Sequence, residues 1–216
     1  MSENHGFQGG TRATGPLTAA FVLTFAVFLL ELGGGIWSGS LALLADAMHM
    51  AVDLLALGLG LFAAWVAARP PDDKRTFGYH RVEVLAALGN GVALWITVGF
   101  LLHEAWERCQ APVDIRVGPM LAIAAAGLMA NLISAAILFP HSKDDINLRG
   151  VLLHVVSDAL GSLGAIAAGL LLWRTGWRYA DPLATVFICV IICSASFNLV
   201  RDSIHILLEG APAGLD

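Results

Sequence analysis

Six long apolar runs separated by short polar stretches leave this chain very little freedom. They fall at about Pro16 to Trp37, Leu41 to Ala68, Val82 to Ala105, Val117 to Phe139, Leu148 to Trp173 and Asp181 to Leu208. Crossing ~30 Å of hydrocarbon takes about 20 helical residues, and each run is long enough. Lipid offers no partners to backbone N–H and C=O groups, so each run is predicted to be a helix bonded within itself. The borders carry matching signals. Pro16 suits a helix start, while Ser38-Gly39-Ser40, Pro70-Pro71 with Asp72-Asp73-Lys74-Arg75, and Pro140 interrupt the runs. The expected fold is an all-α membrane protein of six transmembrane helices, with a polar tail over 1–15, a helical domain over 16–209 and a short tail over 210–216.

Composition excludes the main alternatives. Only 13% of residues are charged, against roughly a quarter in a soluble domain. The net charge of −5 and the absence of a basic run argue against a nucleic-acid partner. Cys109, Cys189 and Cys193 are odd in number and lack CxxC spacing, so no disulfide framework or zinc ribbon is indicated. The N-terminal tail lacks the layout of a cleaved signal peptide, and the first run is expected to remain as a true span. Arg12, Arg69, Lys74, Arg75, Arg81, Lys143, Arg149 and Arg201 fall on the side of the termini, against Arg108, Arg116, Arg174 and Arg178 opposite. That bias predicts both termini in the cytoplasm. Trp37, Trp65, Trp106, Trp173 and Trp177 sit near span ends, as interfacial anchors do.

Ionisable groups inside such spans are costly and point to function. The second run holds His49-Met-Ala-Val-Asp53 and the fifth His154-Val-Val-Ser-Asp158, two His-x-x-x-Asp pairs placed 105 residues apart. On a helix an i,i+4 pair is offset by about one turn and roughly 40°, so both side chains share a face. A single pair reads equally well as an intrahelical hydrogen bond. Two copies on facing helices offer two nitrogens and two oxygens, a four-coordinate set suited to Zn²⁺. Co²⁺, Ni²⁺, Mn²⁺ and Fe²⁺ also suit imidazole with carboxylate, whereas Mg²⁺ and Ca²⁺ prefer all-oxygen sites. His49, Asp53, His154 and Asp158 are therefore the candidate metal ligands.

Other polar groups are weaker candidates. Asp46 lies on the face of His49 and could tune the site or pass protons. Glu31 and Asn131 could support the site or bridge two helices. Cys189 and Cys193 read as small residues at a helix seam. Gly33-Gly34-Gly35, Gly161 and Gly164 read as close-packing positions. His5, His103, His141 and His205 read as solvated, and the cluster of Asp72, Asp73 and His80 lacks metal-ligand spacing.

Ser40-Leu41-Ala42-Leu43-Leu44-Ala45-Asp46-Ala47-Met48-His49 through Asp53 resembles the second-helix signature of the cation diffusion facilitator family of divalent-metal transporters, in its zinc-type branch. Phe77-Gly78-Tyr79-His80-Arg81-Val82-Glu83 resembles the start of that family's third helix, and His154-Val155-Val156-Ser157-Asp158-Ala159 its fifth-helix motif. Tyr179-Ala180-Asp181-Pro182 and Leu207-Leu208-Glu209-Gly210-Ala211-Pro212 resemble the borders of the sixth. The resemblance implies a six-helix membrane domain, a homodimer, exchange of metal for protons, and a transport site of His49, Asp53, His154 and Asp158. It departs from the pattern where the sequence stops at Asp216, without the cytoplasmic domain of most members.

The expected function is export of zinc, with cadmium or cobalt as further substrates, by metal/proton antiport across a bacterial inner membrane. Zn²⁺ is then cargo, and no organic cofactor is expected. The alternatives are a membrane-embedded metalloenzyme, against which the lack of HExxH speaks, and an inactive fragment with a structural zinc site.

Overall fold

The computed structural model describes residues 14–67, 81–140 and 146–208. All regular structure among them is helical: α1 Thr14–Ser38, α2 Leu41–Ala67, α3 Arg81–Gln110, α4 Val117–Leu138, α5 Ile146–Thr175 and α6 Ala180–Leu207. Every helix is long and apolar enough to cross a membrane, and the protein is a multi-pass membrane protein. With six crossings, the start of α1 and the end of α6 share one end of the bundle, here the terminal end. The α1–α2, α3–α4 and α5–α6 connections lie at the far end.

The helices agree with the apolar runs except in α3, which continues from Ala105 to Gln110. Hydropathy falls there, yet the helix persists. Arg108 donates from Nε to Glu104 Oε1 at 3.1 Å, and His103 lies 3.5 Å from Glu107, both at i,i+4 spacing. Such pairs support a helix without apolar content.

The bundle is apolar outside and polar within. Leu55, Ile36, Ile96 and Trp173 are largely exposed, as are the five tryptophans read as anchors, while Glu31, Asp46, Asn131, Ser134, Asp158 and Ser162 are buried. α4 packs along α5 and α1, α3 packs along α6, and α2 touches α1, α3, α5 and α6. Gly34 and Gly35 allow close approach. A Cβ on Gly34 would strike Ile123 and one on Gly35 would strike Leu44. Gly164 makes only ordinary contact with Phe187, and Gly33 faces open space, so the packing role expected for Gly33 is corrected. Cys189 is buried at the seam with Cys193 packed beside it, as read from the sequence.

At the far end, Gly39 turns the chain with φ of +78°, in the left-handed region that glycine adopts without a Cβ penalty. Ser40 caps α2 by accepting at Oγ from Leu43 N. Buried Asp181 of α6 completes the cap from across the bundle. Its Oδ1 accepts from Ser40 Oγ at 2.6 Å and Ala42 N at 3.2 Å, and its Oδ2 from Leu41 N at 2.8 Å. Arg108 Nη1 lies 3.7 Å from the same carboxylate and donates to Gly39 O. A helix N-terminus presents unpaired N–H groups and partial positive charge, so one carboxylate ties α2, α3 and α6 together.

Candidate metal centre

On α2, Asp46, His49 and Asp53 fall at i, i+3 and i+7 and share the stripe facing α5. On α5, His154 and Asp158 face back. The structure brings the four sequence-derived candidates together. Asp53 Oδ2 lies 3.4 Å from His49 Nε2 and 3.5 Å from His154 Nε2. Asp158 turns Oδ1 toward His49 Nε2 at 3.9 Å and Oδ2 toward His154 Nε2 at 3.6 Å. The imidazole centroids are 5.7 Å apart and meet edge to face. His49, Asp53 and His154 each bring one ligand atom within 4.8 Å of the other two. Asp158 stands outside that tighter set and meets the two imidazoles with different oxygens.

These separations suit a small dication. A tetrahedral zinc site with bonds of about 2.0–2.1 Å has ligand–ligand edges of about 3.3 Å. Four contacts of 3.4–3.9 Å need only a slight contraction around an ion. The carboxylates also call for a partner: Asp53 Oδ2 and both Asp158 oxygens are buried without a hydrogen-bond partner. A dication would bond the carboxylate oxygens and bind the imidazoles through Nε2.

A cavity opens to the centre from the terminal half. With a volume of about 750 Å³, it reaches Asp53 and His154 and is walled by Ala20, Phe21 and Thr24 of α1, Gly60 of α2 and Gly150 of α5. All of these lie in the terminal half of their helices. The His154 side chain is 37% exposed and that of Asp158 0%, so the centre grades from an open side to a sealed one.

Beyond the centre, on its far side, Glu31 of α1 and Asp46 of α2 lie together beside Ser162 and Gly161 of α5: the Ser162 hydroxyl donates to Glu31 Oε1 at 3.4 Å, and the Asp46 carboxylate stands against Gly161. Asn131 lies on the buried face of α4 with Ser134. The sequence singled out Glu31, Asp46 and Asn131 singly but gave no sign that Glu31 and Asp46 meet. It also gave Asp181 no role beyond a border motif. An acid beside Pro182 at a helix start hints at a cap, but its partner 140 residues away is visible only in the fold. His103 and His205 are exposed on helices, whereas His5, Asp72, Asp73, His80 and His141 lie outside the described residues.

Comparison with known proteins gives a consistent picture. Residues 17–208 match the family described as the cation efflux transmembrane domain. The "Cadmium, cobalt and zinc/H(+)-K(+) antiporter" of Bacillus subtilis (strain 168) is 39% identical over all of this chain and 69% of its own length. The "Zinc transporter ZitB" of Escherichia coli (strain K12) is 43% identical over 93% of this chain and 64% of its own length. The "Metal cation efflux system protein CzcD" of Cupriavidus metallidurans is 38% identical over 99% of this chain and 67% of its own length. The chain thus spans about two thirds of the length of these curated relatives.

Proposed function

The chain belongs to the cation efflux family, and on that premise we propose that it is a secondary carrier exporting zinc from the cytoplasm in exchange for protons. Cadmium and cobalt are the further substrates that a nitrogen–oxygen site would take, and the relatives' names point the same way. His49, Asp53, His154 and Asp158 hold the ion. The observation that carries this reading is the pair of facing His-x-x-x-Asp motifs, whose ligand atoms stand 3.4–3.9 Å apart at mid-depth. Asp158 selects one oxygen when the ion arrives, while Asp53 and His154 meet it first at the cavity wall.

Coupling follows from the ligands. Imidazole must be neutral and carboxylate ionised to bind the metal, so metal and protons compete for one site. Carriers of this kind work by alternating access around a fixed mid-membrane site. The cavity faces the terminal end, and the Lys/Arg bias supports a cytoplasmic position for that end in a bacterial inner membrane. The chain acts in the bilayer as a homodimer joined through apolar helix faces. Its chemistry is movement of an ion, with no substrate bond made or broken.

Flux into sealed vesicles tests the proposal. Purified protein should move zinc down its gradient, and acidifying the compartment that receives the metal should speed the movement. Inserted, monodisperse protein that binds zinc yet moves none would leave only a structural zinc site.

A further inference from the structure

Glu31 and Asp46 are buried at 0% and 3% exposure, and nothing in the carrier reading uses them. Their carboxyl groups come together beside Ser162, whose hydroxyl donates to Glu31 Oε1 at 3.4 Å, with the Asp46 carboxylate against the adjacent Gly161. An ionised carboxylate only accepts hydrogen bonds, so contact between two of them requires a proton between them or a cation beside them. Among the described residues, the helices around the pair supply no fixed cation. Across α1, α2, α4 and α5, Lys and Arg occur only as Arg149 and Arg174 of α5. Those lie 13 and 12 residues from Ser162, about 20 and 18 Å along the helix. The titratable group of the metal centre nearest the pair is Asp158, and α4 presents only Asn131 and Ser134 on its buried polar face.

The space is built around the two acids. A Cβ on Gly127 would strike Glu31 Oε1, and one on Gly161 would come within 2.9 Å of Asp46 Oδ1. Glycine at both positions leaves room for the carboxyls. Polar capacity there is unfilled: Glu31 Oε2, Asn131 Nδ2 and Ser134 Oγ are buried without a hydrogen-bond partner. Asn131 follows Gly127 by one turn on the buried stripe of α4. Place matters as much as chemistry. Asp46 is three residues from His49 toward the far end, and Ser162 is four from Asp158 in the same direction. The pair therefore stands about one turn beyond the metal centre, opposite the cavity.

We propose that Glu31 and Asp46 form a proton-carrying station, separate from the metal ligands, that supplies the metal centre with protons from the far end of the bundle. This rests on the carrier reading above. One proton is held as O–H···O between the two carboxyls. When the far end opens, that proton passes to the centre as the dication leaves, and the pair takes a replacement from water on the far side. The Ser162 hydroxyl orients both carboxyls. Intramembrane acids without basic partners serve as proton relays in pumps and carriers.

Vesicle flux in two modes separates this from a packing role. Zinc–zinc exchange at equal pH needs no proton, whereas net zinc movement into an acidic compartment does. Glu31→Gln and Asp46→Asn keep size and hydrogen bonding but cannot carry the proton. Each variant should keep zinc–zinc exchange within about 3-fold of the parent protein and lose about 10-fold or more of the acid-driven acceleration. Glu31→Asp, which keeps an acid, should restore part of it. Acid acceleration unchanged in both amide variants would overturn the proposal. So would equal loss of exchange and net flux, which would make the pair part of the metal's own support. Parent protein inactive in both modes would instead overturn the carrier reading itself.

Discussion

The two halves of the bundle are built differently. From mid-depth to the far end, sixteen buried apolar residues pack as one cluster, among them Leu41, Leu43, Val98, Leu101, Met120, Ala124, Ile188 and Ile192. Among the described residues of the terminal half, Ala20, Leu138, Leu148 and Val155 form a smaller cluster, beside the cavity. The far half also holds the Asp181 network, which joins three helices through charged hydrogen bonds. A close-packed interior does not deform smoothly but changes between discrete arrangements. On the proposed carrier reading, the far half is the closed gate of this state, and the proposed metal centre sits on the boundary. Export requires the contrast to reverse, so that the far packing parts while the terminal half closes over Asp53 and His154.

The largest expected effect lies at that boundary. Asp158→Ala removes the ligand sealed on the far side and leaves two imidazoles and Asp53. Losing an outer partner of a metal ligand already costs ~10–100-fold in affinity or activity, so losing the ligand itself should lower zinc flux by at least about 100-fold. Folding should survive, because a buried charge in the membrane is a cost rather than a support. Flux at the parent rate in folded protein would remove Asp158 from the centre.

Next comes the far-end lock. Asp181→Ala removes three accepted hydrogen bonds and leaves Arg108 without its buried carboxylate. Buried bonds to a charged group contribute about 1.5–3 kcal/mol each, but not additively. A total near 3 kcal/mol is expected, read as a lower unfolding midpoint in detergent. Asp181→Asn should fall between the two. A midpoint unchanged in Asp181→Ala would mean that the closed far half does not depend on this cap.

How much of this was legible in the sequence follows from range. The six helices are dictated locally by apolar length, and only α3 overran its run, where i,i+4 pairs replaced hydropathy. The grouping of His49, Asp53, His154 and Asp158 was legible because each half of it repeats at helical spacing. The Glu31–Asp46 contact and the Asp181 cap were not. Each joins residues on different helices, and a lone acid carries no spacing that names its partner. Gly33 and Gly34 make the same point, since adjacent glycines look alike in sequence but only one faces a neighbouring helix.

Solvent access gives a third, smaller contrast. With Cys109 and Cys193 changed to Ser and Cys189 to Ala, single cysteines can be placed at Thr24 and Leu54 on the cavity wall, or at Val98 and Ala124 in the far cluster. Thiols react as hydrated thiolates. A water-soluble reagent should therefore modify the first two at least about 10-fold faster than the last two. Faster labelling at Val98 and Ala124 would show that the resting protein opens at the far end.

The smallest effect compares two glycines, one from each half. Gly34 of α1 lies in the far half, where a Cβ would meet Ile123 Cδ1, and its Cγ2 at 2.8 Å. Ile123 branches at Cβ and packs against the main cluster, so it cannot swing away freely. Gly60 of α2 lines the cavity in the terminal half and has nothing within 4 Å of a would-be Cβ. Overpacking a well-filled interior costs about 1–3 kcal/mol, and Gly34→Ala belongs at the low end because only one methyl is added. Gly60→Ala meets no neighbour and should stay within about 0.5 kcal/mol of the parent, as substitutions away from packed features do. Unfolding midpoints of the two variants, measured in the same detergent, give the comparison directly. Equal costs at the two positions would mean that the halves are packed alike and that the opening from the terminal half seen here is not a property of the resting carrier.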